Sequence, residues 1–269
     1  MDFDSGFLGA AAALLTLLLG MELVDKINFR DELELARALQ ASLIPKDLPK
    51  TASYEIGANN EIANMVGGDI YDFVPLPDGR LAVLFGDASG HGMAAGLVMA
   101  VAHAAFRTQL DVDPSPAAMF ATLNRILCRT GSPRAFFGCV YLMFLPDGTF
   151  TAAIAGHPQP LAIRADGTVR QRFGAGAYPL GIKVQMTWPV EQGRLDVGEL
   201  LLLTSDGVSE ARDTTGRDFG DARIESTVRA AITQPPQQIA ATLAREVQAH
   251  RGPGAPEDDV SIAVLRRIG

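Results

Sequence analysis

Four places in the chain set a carboxylate at the end of an apolar strand, beside glycine or a small hydroxyl residue. They are Gly67-Gly68-Asp69 ahead of Ile70-Tyr71-Asp72-Phe73-Val74, Asp87 after Leu81-Ala82-Val83-Leu84-Phe85-Gly86, Asp206 after Leu200-Leu201-Leu202-Leu203-Thr204-Ser205, and Asp258-Asp259 ahead of Val260-Ser261-Ile262-Ala263-Val264-Leu265. An isolated ionised carboxylate in apolar surroundings is costly, so something positive is expected beside Asp87. If these strand ends meet at one edge, several carboxylates share a small volume and cannot all stay ionised without cations. Oxygen-only ligands select hard divalent ions, Mg²⁺ or Mn²⁺. Two such ions about 4 Å apart would activate a water and neutralise an oxyanion, which is the logic of two-metal phosphoryl hydrolysis.

The run Gly86-Asp87-Ala88-Ser89-Gly90-His91-Gly92 links a strand to a helix rich in small residues that starts near Met93. Its glycines permit positive φ and a close backbone approach to a ligand, although an ordinary strand-to-helix turn has the same composition. Ser89 and His91 invite a serine-hydrolase reading, but Asp87 stands where the nucleophile-elbow pattern needs glycine. The chain also lacks the GxxxxGK[ST] phosphate loop. His91 could give a proton to a leaving group or order the loop by a hydrogen bond. His157, ahead of Pro158, reads as a structural loop residue. Adjacent strand residues point to opposite faces, so only one of Asp258 and Asp259 is expected to ligate. No arginine stands near Asp69 in sequence to clamp a phosphate.

Six motifs occur in order: Val66-Gly67-Gly68-Asp69-Ile70-Tyr71-Asp72, Gly86 to Gly92, Ala155-Gly156-His157-Pro158, Pro179-Leu180-Gly181, Thr204-Ser205-Asp206-Gly207-Val208-Ser209-Glu210-Ala211, and Asp258-Asp259-Val260-Ser261. In order and spacing, over roughly positions 35 to 268, they resemble the SpoIIE-type (RsbU-like) bacterial branch of the metal-dependent protein phosphatases, the PPM superfamily. The resemblance implies an α-β-β-α sandwich and hydrolysis of phosphoserine or phosphothreonine with two Mn²⁺ or Mg²⁺ ions. It implies that Asp69, Asp87, Asp206 and Asp258 are metal ligands, Asp258 being favoured over Asp259, with the Ala88 carbonyl as a backbone ligand. It also implies a phosphorylated anti-anti-sigma (STAS-type) protein as substrate. Ser205 stands where many relatives carry threonine directly before the aspartate. A phosphatase-like binding module without turnover is the rival reading, and retention of all four repelling carboxylates argues against it.

The elements needed to gather these residues are legible in the patterning. Strands are expected at 54–58, 71–76, 80–85, 138–145, 150–155, 161–164, 169–172, 199–204 and 260–265. Asp78-Gly79, Asp147-Gly148 and Asp166-Gly167 supply hairpin turns. Hairpins mean antiparallel sheet. Asp206-Gly207 differs from those pairs, because no returning strand follows it. Helices are expected over 93–109, 116–129, 222–232 and 236–251, the second after the turn-and-cap cluster Asp113-Pro114-Ser115-Pro116. The order is strands, two helices, strands, two helices and a strand, which indicates an α+β fold of two antiparallel sheets flanked by helix pairs.

Ahead of this body lies an apolar run, Phe7 to Leu19, within a stretch from Ser5 to Met21 that has no charged residue. Its length is at the lower limit for a membrane span. Lys26, Arg30 and Arg37 after it would place the rest of the chain in the cytoplasm at the inner membrane. A self-associating helix is the competing view. Residues 22–44 contain good helix formers up to Pro45; Leu35, Leu39 and Leu43 recur at i+4, and Ala36 with Leu39 and Leu43 gives a short heptad-like pattern suited to a homodimer. The expected organisation is therefore an apolar helix and possible anchor at 1–21, a helical and dimerising linker at 22–48 that receives an upstream activator, and a catalytic domain at 49–269. A hydrophobic content of 48% describes a folded protein, and the net charge of -8 argues against nucleic acid as partner. Cys128 and Cys139 lack CxxC spacing and read as small buried hydrophobes, and the four scattered histidines do not suggest a zinc site.

Overall fold

A computed structural model describes residues 3–63, 66–90, 92–130, 135–174 and 176–269. The chain begins with one uninterrupted helix, α1 (Phe3–Leu43), which runs through the apolar segment and the charged linker without a break. Good helix formers fill both segments, and Pro45 follows the last turn. After it come β1 (Tyr54–Glu61), β2 (Asp69–Pro75), β3 (Leu81–Ala88), α2 (Met93–Val112), α3 (Pro116–Arg129), β4 (Phe137–Phe144), β5 (Thr149–Ala155), β6 (Leu161–Ile163), β7 (Val169–Arg172), β8 (Val190–Arg194), β9 (Leu200–Thr204), α4 (Asp206–Ser209), α5 (Gly220–Ala230), α6 (Pro236–Arg251) and β10 (Val260–Arg267).

The strands form two sheets of five, ordered β1-β10-β9-β6-β7 and β2-β3-β4-β5-β8, and every pairing between them is antiparallel. Three apolar layers hold the stack together. Phe85, Val140, Leu142, Phe144, Phe150, Leu201, Leu203 and Leu265 fill the space between the sheets. Met99, Phe106, Phe120 and Leu123 of α2 and α3 cover the β2–β8 sheet through Leu84, Cys139 and Tyr141. Ile224, Val228, Ile239, Leu243 and Val247 of α5 and α6 cover the other sheet through Leu200, Leu202, Ile262 and Val264. Alternate residues of β3, β4 and β9 thus face different apolar layers, which is why these strands read as continuous apolar runs rather than alternating ones. The result is the α-β-β-α sandwich with a long leading helix that the sequence suggests.

Three local features depart from the sequence pattern. The strand β8 has exposed alternate residues and no apolar run to announce it. The strand β3 continues through Asp87 to Ala88, so this carboxylate belongs to the ladder and not to the loop beyond it. Asp206 opens the one-turn helix α4, which accounts for the missing return strand after Asp206-Gly207.

Candidate metal centre

Asp69 and Asp87 are direct cross-strand partners in the β2–β3 pairing. Side chains at such positions stand about 5 Å apart, and like charges there repel. Asp69 is 2% exposed, and its Oδ2 is buried with no hydrogen-bond partner. Burial, the neighbouring Asp87 and, more weakly, Asp259 push its carboxyl well above the usual carboxylate range, against smaller opposing contributions from the Ser261 and Ser205 hydroxyls. Burial likewise raises Asp87 to about 8, helped by Asp206, Asp258 and Asp259. Asp258, on the exposed rim, is raised by burial first and then by Asp206, Asp259 and Glu210, while the N–H of Asp259 opposes the shift. The carboxylates from β2, β3, α4 and the residue before β10 therefore feel one another across the edge where the two sheets meet. Every charge acting on Asp87 is another carboxylate. The positive neighbour expected for it is not supplied by any described side chain.

The backbone around these groups is held close. A Cβ on Gly68 would lie 2.5 Å from Asp87 Oδ1 and 2.7 Å from the Ala88 carbonyl oxygen, so glycine is required for β2 to approach both atoms. Asp259 does different work from its neighbour. Its Oδ1 accepts from the Ala63 N–H at 2.8 Å, and its Oδ2 accepts from the N–H groups of Gly68 at 2.8 Å and Asp69 at 3.3 Å. It thereby ties the glycine segment of one sheet to the last strand of the other, and Gly67 admits it because a Cβ there would sit 2.1 Å from Asp259 Oδ2. The Ser205 hydroxyl donates to the Asp259 carbonyl at 3.0 Å and accepts from the Ser261 N–H at 2.9 Å. Ser205, a departure from the threonine of many relatives, is thus a fixed part of the frame.

The donor set suits hard divalent cations: oxygen atoms only, mutually repelling, one of them buried and unpaired. Among the described residues no three His, Cys, Asp or Glu side chains are already closed around a single metal position. His91 lies outside the described residues. The Ser89 N–H donates to the Phe136 carbonyl at 2.9 Å and its hydroxyl accepts from the Phe136 N–H at 3.1 Å, which fixes the loop to β4 and occupies the hydroxyl that a serine hydrolase would need. His157 packs edge-on against Phe85, and its Nδ1 donates to the Pro158 carbonyl at 3.0 Å. Burial lowers its pKa to about 4, so the ring is neutral.

Two contacts near the site are absent from the motif pattern. Gln40, 3% exposed near the end of α1, donates from Nε2 to the Gly67 carbonyl at 2.7 Å and accepts on Oε1 from the Gly67 N–H at 2.9 Å. A glutamine on a linker helix carries no signal of such a tertiary contact. Asp72, three residues after Asp69, accepts from Arg107 Nε at 2.6 Å and Nη2 at 3.1 Å and meets His103 Nε2 at 2.7 Å. The spacing of His103 and Arg107 puts both on one face of α2, a signal that the sequence does offer.

Comparison with known proteins identifies the family and the fold. The family model for Stage II sporulation protein E (SpoIIE) matches residues 77–268. Protein IcfG of Synechocystis is 24% identical over 93% of this chain, which spans 43% of that protein. The phosphoserine phosphatase RsbU of Bacillus subtilis is 25% identical over 89% of the chain and 71% of its own length. Among solved structures, the RsbU and RsbW domains of Rv1364c from Mycobacterium tuberculosis superpose with a TM-score of 0.73 at 25% identity, covering 82% of this chain and 63% of that one. The SiaA-PP2C domain of Pseudomonas aeruginosa gives 0.77 at 20% identity over 90% of this chain and 98% of its own, a likeness of fold.

Proposed function

This chain belongs to the SpoIIE family, and from that premise we propose that it is a metal-dependent protein phosphatase acting on phosphoserine or phosphothreonine. The observation that carries the reading is the set of Asp69, Asp87, Asp206 and Asp258, drawn from both sheets and left without a cationic side chain. Asp87 would serve as the shared ligand, with Asp69, Asp206, Asp258 and the Ala88 carbonyl completing the shell. Bound Mn²⁺ or Mg²⁺ supplies positive charge for the phosphate and acidifies a water. Asp259 and Gly68 hold the β2 backbone against Asp87 and Ala88, so the ligands keep their spacing while the phosphate is attacked in line by water. Phosphate and the free hydroxyl amino acid are the products. His91 would either give a proton to the leaving alkoxide or order the loop by a hydrogen bond.

The substrate protein that fits the family resemblance is a phosphorylated anti-anti-sigma protein of the STAS type. A net charge of -8 disfavours nucleic acid as a partner. Residues 1–21 form a candidate inner-membrane anchor: the apolar part of α1 is long enough to span and none of its most apolar stretch is buried. Residues 22–48 would act as the linker through which an upstream activator or a homodimer contact reaches the catalytic domain at 49–269. Gln40 supports that route, because it grips Gly67 two residues before Asp69.

A second reading is a binding module without turnover, and the retention of Asp69, Asp87, Asp206 and Asp258 argues against it. One assay separates the two. With Mn²⁺ the protein should hydrolyse an aryl phosphate, lose activity in chelator, and lose at least about 100-fold on Asp87→Asn, since even outer-shell partners of a metal are worth 10–100-fold. Metal-independent turnover, or wild-type rates in the variant, would refute the phosphatase reading.

A further inference from the structure

The strand β7 ends at Arg172 and β8 begins at Val190, and among the described residues between them there is no helix or strand. Loops longer than about 12–15 residues are uncommon in compact domains and commonly carry function. This one is pinned along its length. The Ala177 carbonyl accepts from the Gly156 N–H at 2.8 Å, and Leu180 exchanges two backbone hydrogen bonds of 2.9 Å with Phe137. Asn124 of α3, 2% exposed, accepts on Oδ1 from the Gly181 N–H at 2.8 Å and donates from Nδ2 to the Lys183 carbonyl at 2.9 Å. Trp188 closes the loop by donating from Nε1 to the Tyr178 carbonyl at 2.7 Å, with its ring edge-on to Phe120.

On this fixed backbone stand side chains that the core does not use. Tyr178 is 58% exposed, Ile182 45% and Val184 72%, and Lys183 lies over the Tyr178 ring at 5.3 Å. Phe136, 37% exposed, immediately precedes the residue that pairs with Leu180. Apolar residues exposed singly need no explanation, but these are collected on one loop and its neighbour. A backbone ordered without burying its apolar side chains suits a binding surface, because the cost of ordering is met before a partner arrives. The place of the loop points to the partner. Phe137 pairs with Leu180 on one side and Ala88 on the other, so Leu180 lies two strand spacings, about 10 Å, from the carbonyl proposed as a metal ligand. The Ser89 hydroxyl, two residues after Asp87, accepts from the Phe136 N–H at 3.1 Å and joins the same surface to the carboxylate edge. An extended chain advances about 3.3 Å per residue, so a protein with its phosphoserine at that edge reaches the loop three to five residues away. We infer that the loop over 176–189 docks an apolar segment of the substrate protein, three to five residues from its phosphorylated residue. The inference rests on the phosphatase reading for the identity of the partner and makes Tyr178, Ile182 and Val184 determinants of specificity.

The test is kcat/KM with Mn²⁺ on two labelled peptides with a central phosphoserine, one carrying leucine three, four and five residues to either side and one carrying serine there. Wild type should prefer the leucine peptide by about tenfold, the scale of burying one further apolar side chain. The double variant Ile182→Ser with Val184→Ser changes two side chains that the core does not bury. It should lose the preference through a higher KM for the leucine peptide, with aryl phosphate turnover at the wild-type level. No preference in wild type, an unchanged preference in the double variant, or an equal loss on aryl phosphate would overturn the inference. A wild-type dimer that sedimentation shows to be lost in the double variant would also overturn it, giving the surface to a second copy of the chain. If wild type turns over neither aryl phosphate nor peptide, the phosphatase reading fails and fluorescence anisotropy of the same peptides judges the loop. Tighter binding of the leucine peptide that the double variant loses would then uphold the docking surface, and equal binding of the two peptides would overturn it.

Discussion

Asp69 and Asp72 lie on one strand, three residues apart, 2% and 1% exposed, and the fold treats them in opposite ways. Asp72 receives the Arg107 fork and the His103 ring, a full complement of donors at 2.6 to 3.1 Å. Asp69 is set opposite another carboxylate, and one of its oxygens has no partner. Three residues apart on a strand, they point to opposite faces, Asp72 toward α2 and Asp69 toward the space between the sheets, and the chain supplies a counter-charge on the first face. Counter-charge built into the chain fastens helix to sheet at Asp72. Its omission at Asp69 leaves repulsion that an added cation or a proton relieves. Burial alone therefore does not mark a functional carboxylate; burial without a built-in counter-charge does.

The largest test of this contrast is to break the satisfied side. Asp72→Ala leaves His103 and Arg107 without their acceptor. It should cost about 2–4 kcal/mol in chemical denaturation, below the roughly 3–5 kcal/mol of a fully enclosed pair because Arg107 is half exposed. A change within a few tenths of a kcal/mol would mean that the cluster does not anchor α2. A third buried group sharpens the comparison, because burial keeps His157 neutral although the charge of Asp206 favours its protonation. Its folded pKa of about 4 lies below the ordinary histidine value of about 6.5, so the unfolded chain takes up the proton first. Stability is then retained above about pH 6.5 and lost as pH falls through 6.5 toward 4. The expected loss is about 1–3 kcal/mol, and His157→Gln should flatten this part of the pH profile in urea titrations. An unchanged profile would show that His157 is not the acid-sensitive group.

Much of this arrangement could be read from residues alone. The apolar runs before Asp87 and Asp206 and after Asp69 and Asp258 define strands, and the three Asp-Gly turns define antiparallel hairpins, because both signals are local. The strand β8 was illegible because it lies at the end of its sheet with alternate residues exposed and no apolar periodicity. The division of labour between Asp258 and Asp259 could be narrowed only to one ligand of the two. That Asp259 grips the N–H groups of Ala63, Gly68 and Asp69 depends on strands from different sheets meeting, which no local pattern encodes. Gln40 was unseen for the same reason: it meets a backbone group brought to it by tertiary structure.

The central claim is that Asp69 and its neighbours are held in mutual repulsion for the sake of cations, and thermal or urea denaturation of Asp69→Asn against wild type at neutral pH tests it directly. In chelator, removing a carboxyl whose ionised form burial and Asp87 disfavour should leave the variant more stable than wild type by about 1 kcal/mol. With Mn²⁺ at 100-fold its dissociation constant, wild type should gain about 2.7 kcal/mol by linkage and the variant much less, so that the order reverses. A variant less stable than wild type in chelator, with no reversal on adding Mn²⁺, would contradict the account and return Asp69 to the role of an ordinary structural carboxylate.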